Sequence, residues 1–126
     1  MGLDMYAFTT ERSAITTPVD FKPNRNGDGI AELHYWRKHP NLHGWMEALY
    51  RRKGGKSPDF NCDTVELTLA DLDDLEAAVR AGTLPSTAGF FFGASDGTEH
   101  EDDLAFVAKA RAAIADGLVV YYDSWW

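Results

Sequence analysis

The chain has 126 residues, with 20 Asp and Glu against 12 Lys and Arg, a formal net charge of −8. That length suits one domain over residues 1–126, and an apolar content of 44% excludes a wholly disordered chain. No run of about 18 apolar residues is present, which excludes a conventional membrane-spanning helix.

The opening residues lack the basic segment of a signal peptide, and a single cysteine, Cys62, cannot form an internal disulfide. Both features lead us to expect a protein of a reducing interior, the cytoplasm. Charge is unevenly spread: residues 1–56 net +3 and residues 57–126 net −11. Acidic surface repels nucleic acid, so general nucleic-acid binding is not expected, although a local basic site is compatible with the first part.

In chain order, residues 3–8 read as a strand, with Leu3, Met5 and Ala7 on one parity. Residues 9–29 read as a long loop with a turn at Asn26-Gly27-Asp28-Gly29, which lacks the spacing of a calcium loop. A helix is expected from Pro40 to Lys53, because Leu42, Trp45, Met46, Leu49 and Tyr50 form one apolar stripe. Pro40 suits its first turn, Arg51 and Arg52 its last, and Gly54-Gly55 its stop.

Residues 62–67 read as a second strand. Thr68 and Asp71 then form a capping box for a helix over 69–81, with Leu69, Leu72, Leu75 and Val79 inward and Gly82 ending it. Gly89 to Gly93, around Phe90-Phe91-Phe92, reads as a short core strand. Thr98 and Glu101 suggest a cap for a helix reaching Asp116, and Leu118 to Tyr122 reads as the last strand. The order implies an α+β fold, or a small α/β one: a four-stranded sheet with about three helices packed on it.

The densest chemistry lies in His34-Tyr35-Trp36-Arg37-Lys38-His39-Pro40-Asn41-Leu42-His43. His39 and His43 are four apart, but no Glu completes a zinc-helix motif, so no metal site is assigned and no cofactor is expected. Arg37 and Lys38 instead precede a helix start with aromatic neighbours, a pattern suited to holding a phosphate and stacking a base. The plainer reading makes Tyr35 and Trp36 core, with Arg37 and Lys38 lying over it. Cys62 reads as a small buried hydrophobe, and Ser95 and Ser124 lack a nucleophile-elbow context. Residues 99–103 are read as an acid-rich first helical turn. The end, Tyr121-Tyr122-Asp123-Ser124-Trp125-Trp126, reads either as closing the core or as an aromatic patch for a ligand or partner, and strand alternation is compatible with both at once.

Five co-linear stretches resemble a family of small phage and prophage proteins: Met1–Tyr6, Tyr35–Lys38, Asn41/His43/Trp45, Gly89–Gly93 and Tyr121–Trp125. Leu42, Pro40 and Gly44 depart from that pattern. The resemblance implies phage origin, an accessory role and a bacterial host cytoplasm, and it implies no particular reaction. Together with the aromatic–basic cluster, it suggests a non-catalytic binder of a small anionic, nucleotide-like ligand that counters host defence. Trp36, Arg37, Lys38, Asn41, His43, Ser124 and Trp125 would form the site, with Trp36 or Trp125 stacking.

One alternative is an acidic, DNA-mimicking inhibitor of a host protein, using Asp71, Asp73, Asp74 and Glu76. A second is a small hydrolase or transferase with His43 as general base, oriented by Asp4. Self-association into a homo-oligomer is left open by the sequence.

Overall fold

A computed structural model describes residues 2–21, 29–87, 95 and 98–126. The protein is an α+β fold: a four-stranded antiparallel sheet with three helices. The strands are β1 (Asp4–Thr10), β2 (Ala31–Arg37), β3 (Val65–Leu67) and β4 (Val119–Trp125), in the order β2-β1-β4-β3. The helices are α1 (Pro40–Arg52), α2 (Leu69–Ala81) and α3 (His100–Ala115).

The two best-patterned helices form where their end signals lie. Thr68 and Asp71 exchange hydrogen bonds in a reciprocal capping box, and Gly82 closes α2 in the left-handed conformation at φ 69°. α1 starts on Pro40 and buries the whole stripe from Leu42 to Tyr50. Gly44 is required there for packing, since a Cβ would sit 1.9 Å from Thr87 Oγ1. Two expectations fail locally. Leu69 is 51% exposed, leaving Leu72, Leu75 and Val79 as the buried side of α2. α3 has Glu99 rather than Thr98 at its cap position, with no capping bond from the Glu99 side chain.

β2 is the strand that the sequence pattern did not reveal. Its inward residues are His34 and Trp36, which read as reactive groups rather than as an apolar parity. The Phe90-Phe91-Phe92 strand expectation lies outside the described residues, as does the Asn26–Asp28 turn. The second expected strand shortens to Val65–Leu67. Cys62 precedes it, exposed and at φ 61°, which overturns its reading as a buried hydrophobe.

The sheet divides the molecule into two environments. On one face Met5, Ala7, Trp36, Val65, Leu67, Val120 and Tyr122 meet all three helices in a single core. None of α1, α2 and α3 packs on the other face. Ile15 and Phe21 from the β1–β2 connection cover Val119 and Tyr121 there, and Phe8 packs beside them. Further along, Tyr35 and Trp125 on that face are exposed.

Candidate functional site

Register determines what meets at the open end of the sheet. Asp4 on β1 lies opposite both Arg37 on β2 and Trp125 on β4, so these three side chains share one face. Asp4 Oδ1 accepts hydrogen bonds from Tyr35 Oη at 2.6 Å and Arg37 Nη1 at 3.0 Å. The Asp4 bond pushes the Tyr35 phenol above its usual value. Tyr35 and Asp4 likewise hold the Arg37 guanidinium firmly charged. Asp4 engages one of the donors of the guanidinium, and half of the Arg37 side chain faces solvent.

Trp125 is 68% exposed. It borders a cleft of about 300 Å³ lined by Gly2, Asp4, Trp125 and Trp126. Trp126 is pinned at the rim: its backbone N–H donates to Asn61 Oδ1 at 3.1 Å, and its carbonyl accepts from Asn61 Nδ2 at 2.9 Å. Gly2 lies against the basic pair, since a Cβ on it would sit 2.9 Å from both Arg37 Nη2 and Lys38 Cε. Lys38 adopts φ 55°, a conformation that costs a non-glycine residue about 1 kcal/mol, and its N–H donates to Leu3 O at 2.8 Å. That turn carries the chain from β2 into α1 while keeping the lysine beside Arg37. Tyr35, Tyr6 and Phe8 continue the aromatic surface, with ring centroids 5.1 and 5.6 Å apart.

The other expected site residues do not join this group. Trp36 is 4% exposed on the helix face, and its indole N–H donates to Asp103 Oδ1 at 3.1 Å. It is therefore a core residue and offers no stacking face to a ligand. His43 is buried beneath the sheet, with Nδ1 2.7 Å from Tyr122 Oη and its ring against Phe60. Burial lowers its pKa to about 4. Burial also raises Tyr122 well above 10, and the neighbouring Ser124 hydroxyl offsets part of that shift. The Ser124 Oγ is itself buried without a well-formed hydrogen bond.

Asp4 and His43 thus lie on opposite faces of the sheet, so Asp4 cannot orient His43 as a general base. Both tryptophans in the expected cluster are read correctly as large aromatics. Strand parity sends Trp36 inward and Trp125 outward.

Asn41 belongs to a second place, the start of α1. His39 Nε2 lies 2.8 Å from Asp103 Oδ2, and His39 Nδ1 lies 2.7 Å from Ser95 Oγ. Ser95 Oγ also accepts the Asn41 backbone N–H at 3.1 Å. Asn41 Oδ1 accepts the Thr87 N–H at 3.0 Å. One residue along α3, Asp102 Oδ2 is 3.0 Å from His34 Nε2. Asp102 and Asp103 therefore meet histidines from β2 and the α1 cap. Neither acid carries a local signal of this, because the partners lie more than 60 residues away in sequence. His39 and His43 turn to different partners, and no group of three or more metal-ligating side chains gathers among the described residues.

The acids of α2 are largely neutralised. Asp71 pairs with Lys53, and Asp73 and Glu76 with Arg111, while Glu76 also holds Arg80 at 2.7 Å. Burial acts to raise the Asp71 pKa, but the Lys53 bond and the Thr68 cap outweigh it and hold the carboxyl below its usual value. Arg80 and then Arg111 lower Glu76. Asp74 is exposed and makes no ion pair among the described residues.

No family model matches this chain, no curated protein matches it, and no solved structure matches it. Fold and site geometry define it as a helix-backed antiparallel-sheet protein with an open aromatic and basic sheet end. No helix among the described residues is long and apolar enough to cross a membrane.

Proposed function

We propose that the protein binds a small anionic, nucleotide-like ligand at the open end of its sheet, with Arg37, Lys38 and Trp125 as the recognition residues. One observation carries this reading: the antiparallel register sets Arg37 and an exposed Trp125 on either side of Asp4, and Asp4 and Trp125 line a cleft there. A planar base would stack on the Trp125 indole, and a phosphate would take the outward donors of Arg37 and the Lys38 ammonium. Asp4 Oδ1, bonded to both Tyr35 and Arg37, holds the guanidinium in place. Asn41, His43 and Ser124 drop out of this site, and Trp36 serves it only as the core residue under Arg37.

The resemblance to phage accessory proteins gives such binding a purpose: removing a nucleotide signal on which a host defence depends. The α2 acids support the inhibitor reading poorly, because three of the four are tied to cations of the same chain.

Isothermal titration against a panel of mono-, di- and cyclic nucleotides tests the proposal. Binding by at least one member is expected. Trp125→Ala should weaken it about tenfold or more, in line with about 1–3 kcal/mol per stacked base. Arg37→Ala should have a similar effect through the lost charged hydrogen bond, worth about 1.5–3 kcal/mol. No binding by any nucleotide at millimolar concentration rejects the reading.

A further inference from the structure

The cleft at the start of α1 lies apart from the sheet-end site and contains a connected serine, histidine and aspartate. His39 and Asp103 are both buried, while Ser95 is only partly so. A carboxylate only accepts hydrogen bonds, so the His39 proton sits on Nε2, facing Asp103 Oδ2 at 2.8 Å. The lone pair of Nδ1 is then directed at the Ser95 hydroxyl, 2.7 Å away. Asp103 cannot rotate freely, because its other oxygen holds the Trp36 indole N–H at 3.1 Å. The tautomer of His39 is thus fixed from behind, as a general base requires. The ring is used in the reverse sense to the chymotrypsin triad, in which the serine faces Nε2. Either nitrogen serves as a base when a carboxylate holds the other.

From this geometry we infer that Ser95 is the nucleophile, and His39 the base, of a hydrolytic site for short, neutral acyl esters. Its cleft has a volume of about 160 Å³, room for an acyl group of a few carbons, and Val79 and Leu84 supply its apolar wall. Asp103 and Glu99 border it, the Glu99 carboxylate 3.8 Å from His39 Nδ1, which disfavours anionic substrates.

The Ser95 Oγ lone pair attacks the ester carbonyl carbon as His39 Nδ1 takes the hydroxyl proton, and the carbonyl π pair moves onto oxygen. The Asn41 N–H, at the positive end of α1 and now 3.1 Å from Ser95 Oγ, can turn to that oxyanion and donate to it. Collapse restores the carbonyl and expels the alkoxide, which takes the proton from His39 and leaves acyl-Ser95. Water then attacks the acyl carbon and gives its proton to His39, and Ser95 departs with that proton. The sum is ester plus water to acid plus alcohol. Asp103 is a positioning residue.

The alternative is that Ser95 only ties down the start of α1, and the two are separable. With p-nitrophenyl acetate, the wild-type protein should release nitrophenol with a burst. A fluorophosphonate probe should label Ser95, located by peptide mass spectrometry. Ser95→Ala should lose the label and at least 100-fold in rate, with its circular dichroism unchanged. Asp103→Asn should distort the pH–rate profile of labelling, and Asp103→Glu should restore part of the rate. If the Asp103 variants do not fold, the Ser95→Ala comparison decides the matter. Turnover equal in wild type and Ser95→Ala, no burst, or a label elsewhere than Ser95 overturns the proposal. None of these readouts depends on nucleotide binding at the sheet end.

Discussion

The two faces of the sheet use the same residue types for opposite ends. Under the helices, Trp36, His43 and Tyr122 each bury an aromatic body and direct one polar atom to a partner. On the open face, Tyr35 at 43% exposure and Trp125 at 68% keep rings in water beside Arg37 and Asp4. Trp36 and Arg37 are consecutive in the chain, as are Ser124 and Trp125, yet each pair is divided by the pleat. Residue type alone does not distinguish support from recognition, whereas parity does.

The contrast between the two tryptophans is the sharpest test. Trp36→Ala should destabilise the fold by about 3–5 kcal/mol, the usual result of emptying a buried indole site, and it also strands Asp103 Oδ1. Trp125→Ala should change stability by no more than about 0.5 kcal/mol in the same urea titration. Similar losses for both would abolish the distinction between the faces.

His43 provides the next largest effect. Its folded pKa is about 4 against an ordinary 6.5, so the unfolded chain takes up the proton first as pH falls. The neutral, buried form thus supports folding fully above about pH 6.5, loses ground through the window down to about 4, and levels off below it. The difference amounts to about 3 kcal/mol at 1.36 kcal/mol for each pKa unit. Urea unfolding at pH 7 and pH 4 should show that loss in the wild-type chain, on top of the carboxylate effects. His43→Gln should have a flatter profile, and an unchanged slope would mean that His43 is not held neutral.

Smaller again is the comparison of two phenols. Tyr122→Phe removes the partner of His43 Nδ1 in the core and should lower stability by about 1–2 kcal/mol. Tyr35→Phe removes an exposed bond to Asp4 and should shift it by less than about 0.5 kcal/mol. Thermal melts of the pair suffice. Least of all in stability, Gly2→Ala should leave the melt within about 0.5 kcal/mol of the parent. Its methyl group would displace the Arg37 and Lys38 side chains, so nucleotide affinity should fall severalfold. Loss of stability without loss of affinity would remove Gly2 from the site.

Much of the scaffold was legible because its signals are local. The apolar stripe of α1, the Thr68–Asp71 box and Gly82 each act within about four residues, the distance over which helix geometry couples side chains. The α+β class and the inward parity of Leu3, Met5 and Ala7 follow from the same short-range patterns. Alternation left open whether the aromatic end is core or surface: Tyr121 and Tyr122 are both buried and Trp125 is exposed, because Ile15 and Phe21 cover Tyr121 on the outer parity.

The candidate site was legible in composition and not in membership. The uneven charge and the aromatic–basic cluster pointed to Arg37 and Lys38, and the aromatic end of the chain to Trp125. β2 stayed hidden because its inward positions carry His34 and Trp36, whose burial depends on Asp102 and Asp103 arriving from α3. Parity alone could not say which side of the sheet the helices would cover, so Trp36 and His43 entered the expected site and then left it. By itself the sequence determined which segments are helical, where the helices end, and which residues alternate along a strand. Tertiary structure decided which alternate set meets water, and which histidine meets Ser95 and Asp103. Those choices rest on pairings across more than 50 residues, which no local propensity encodes.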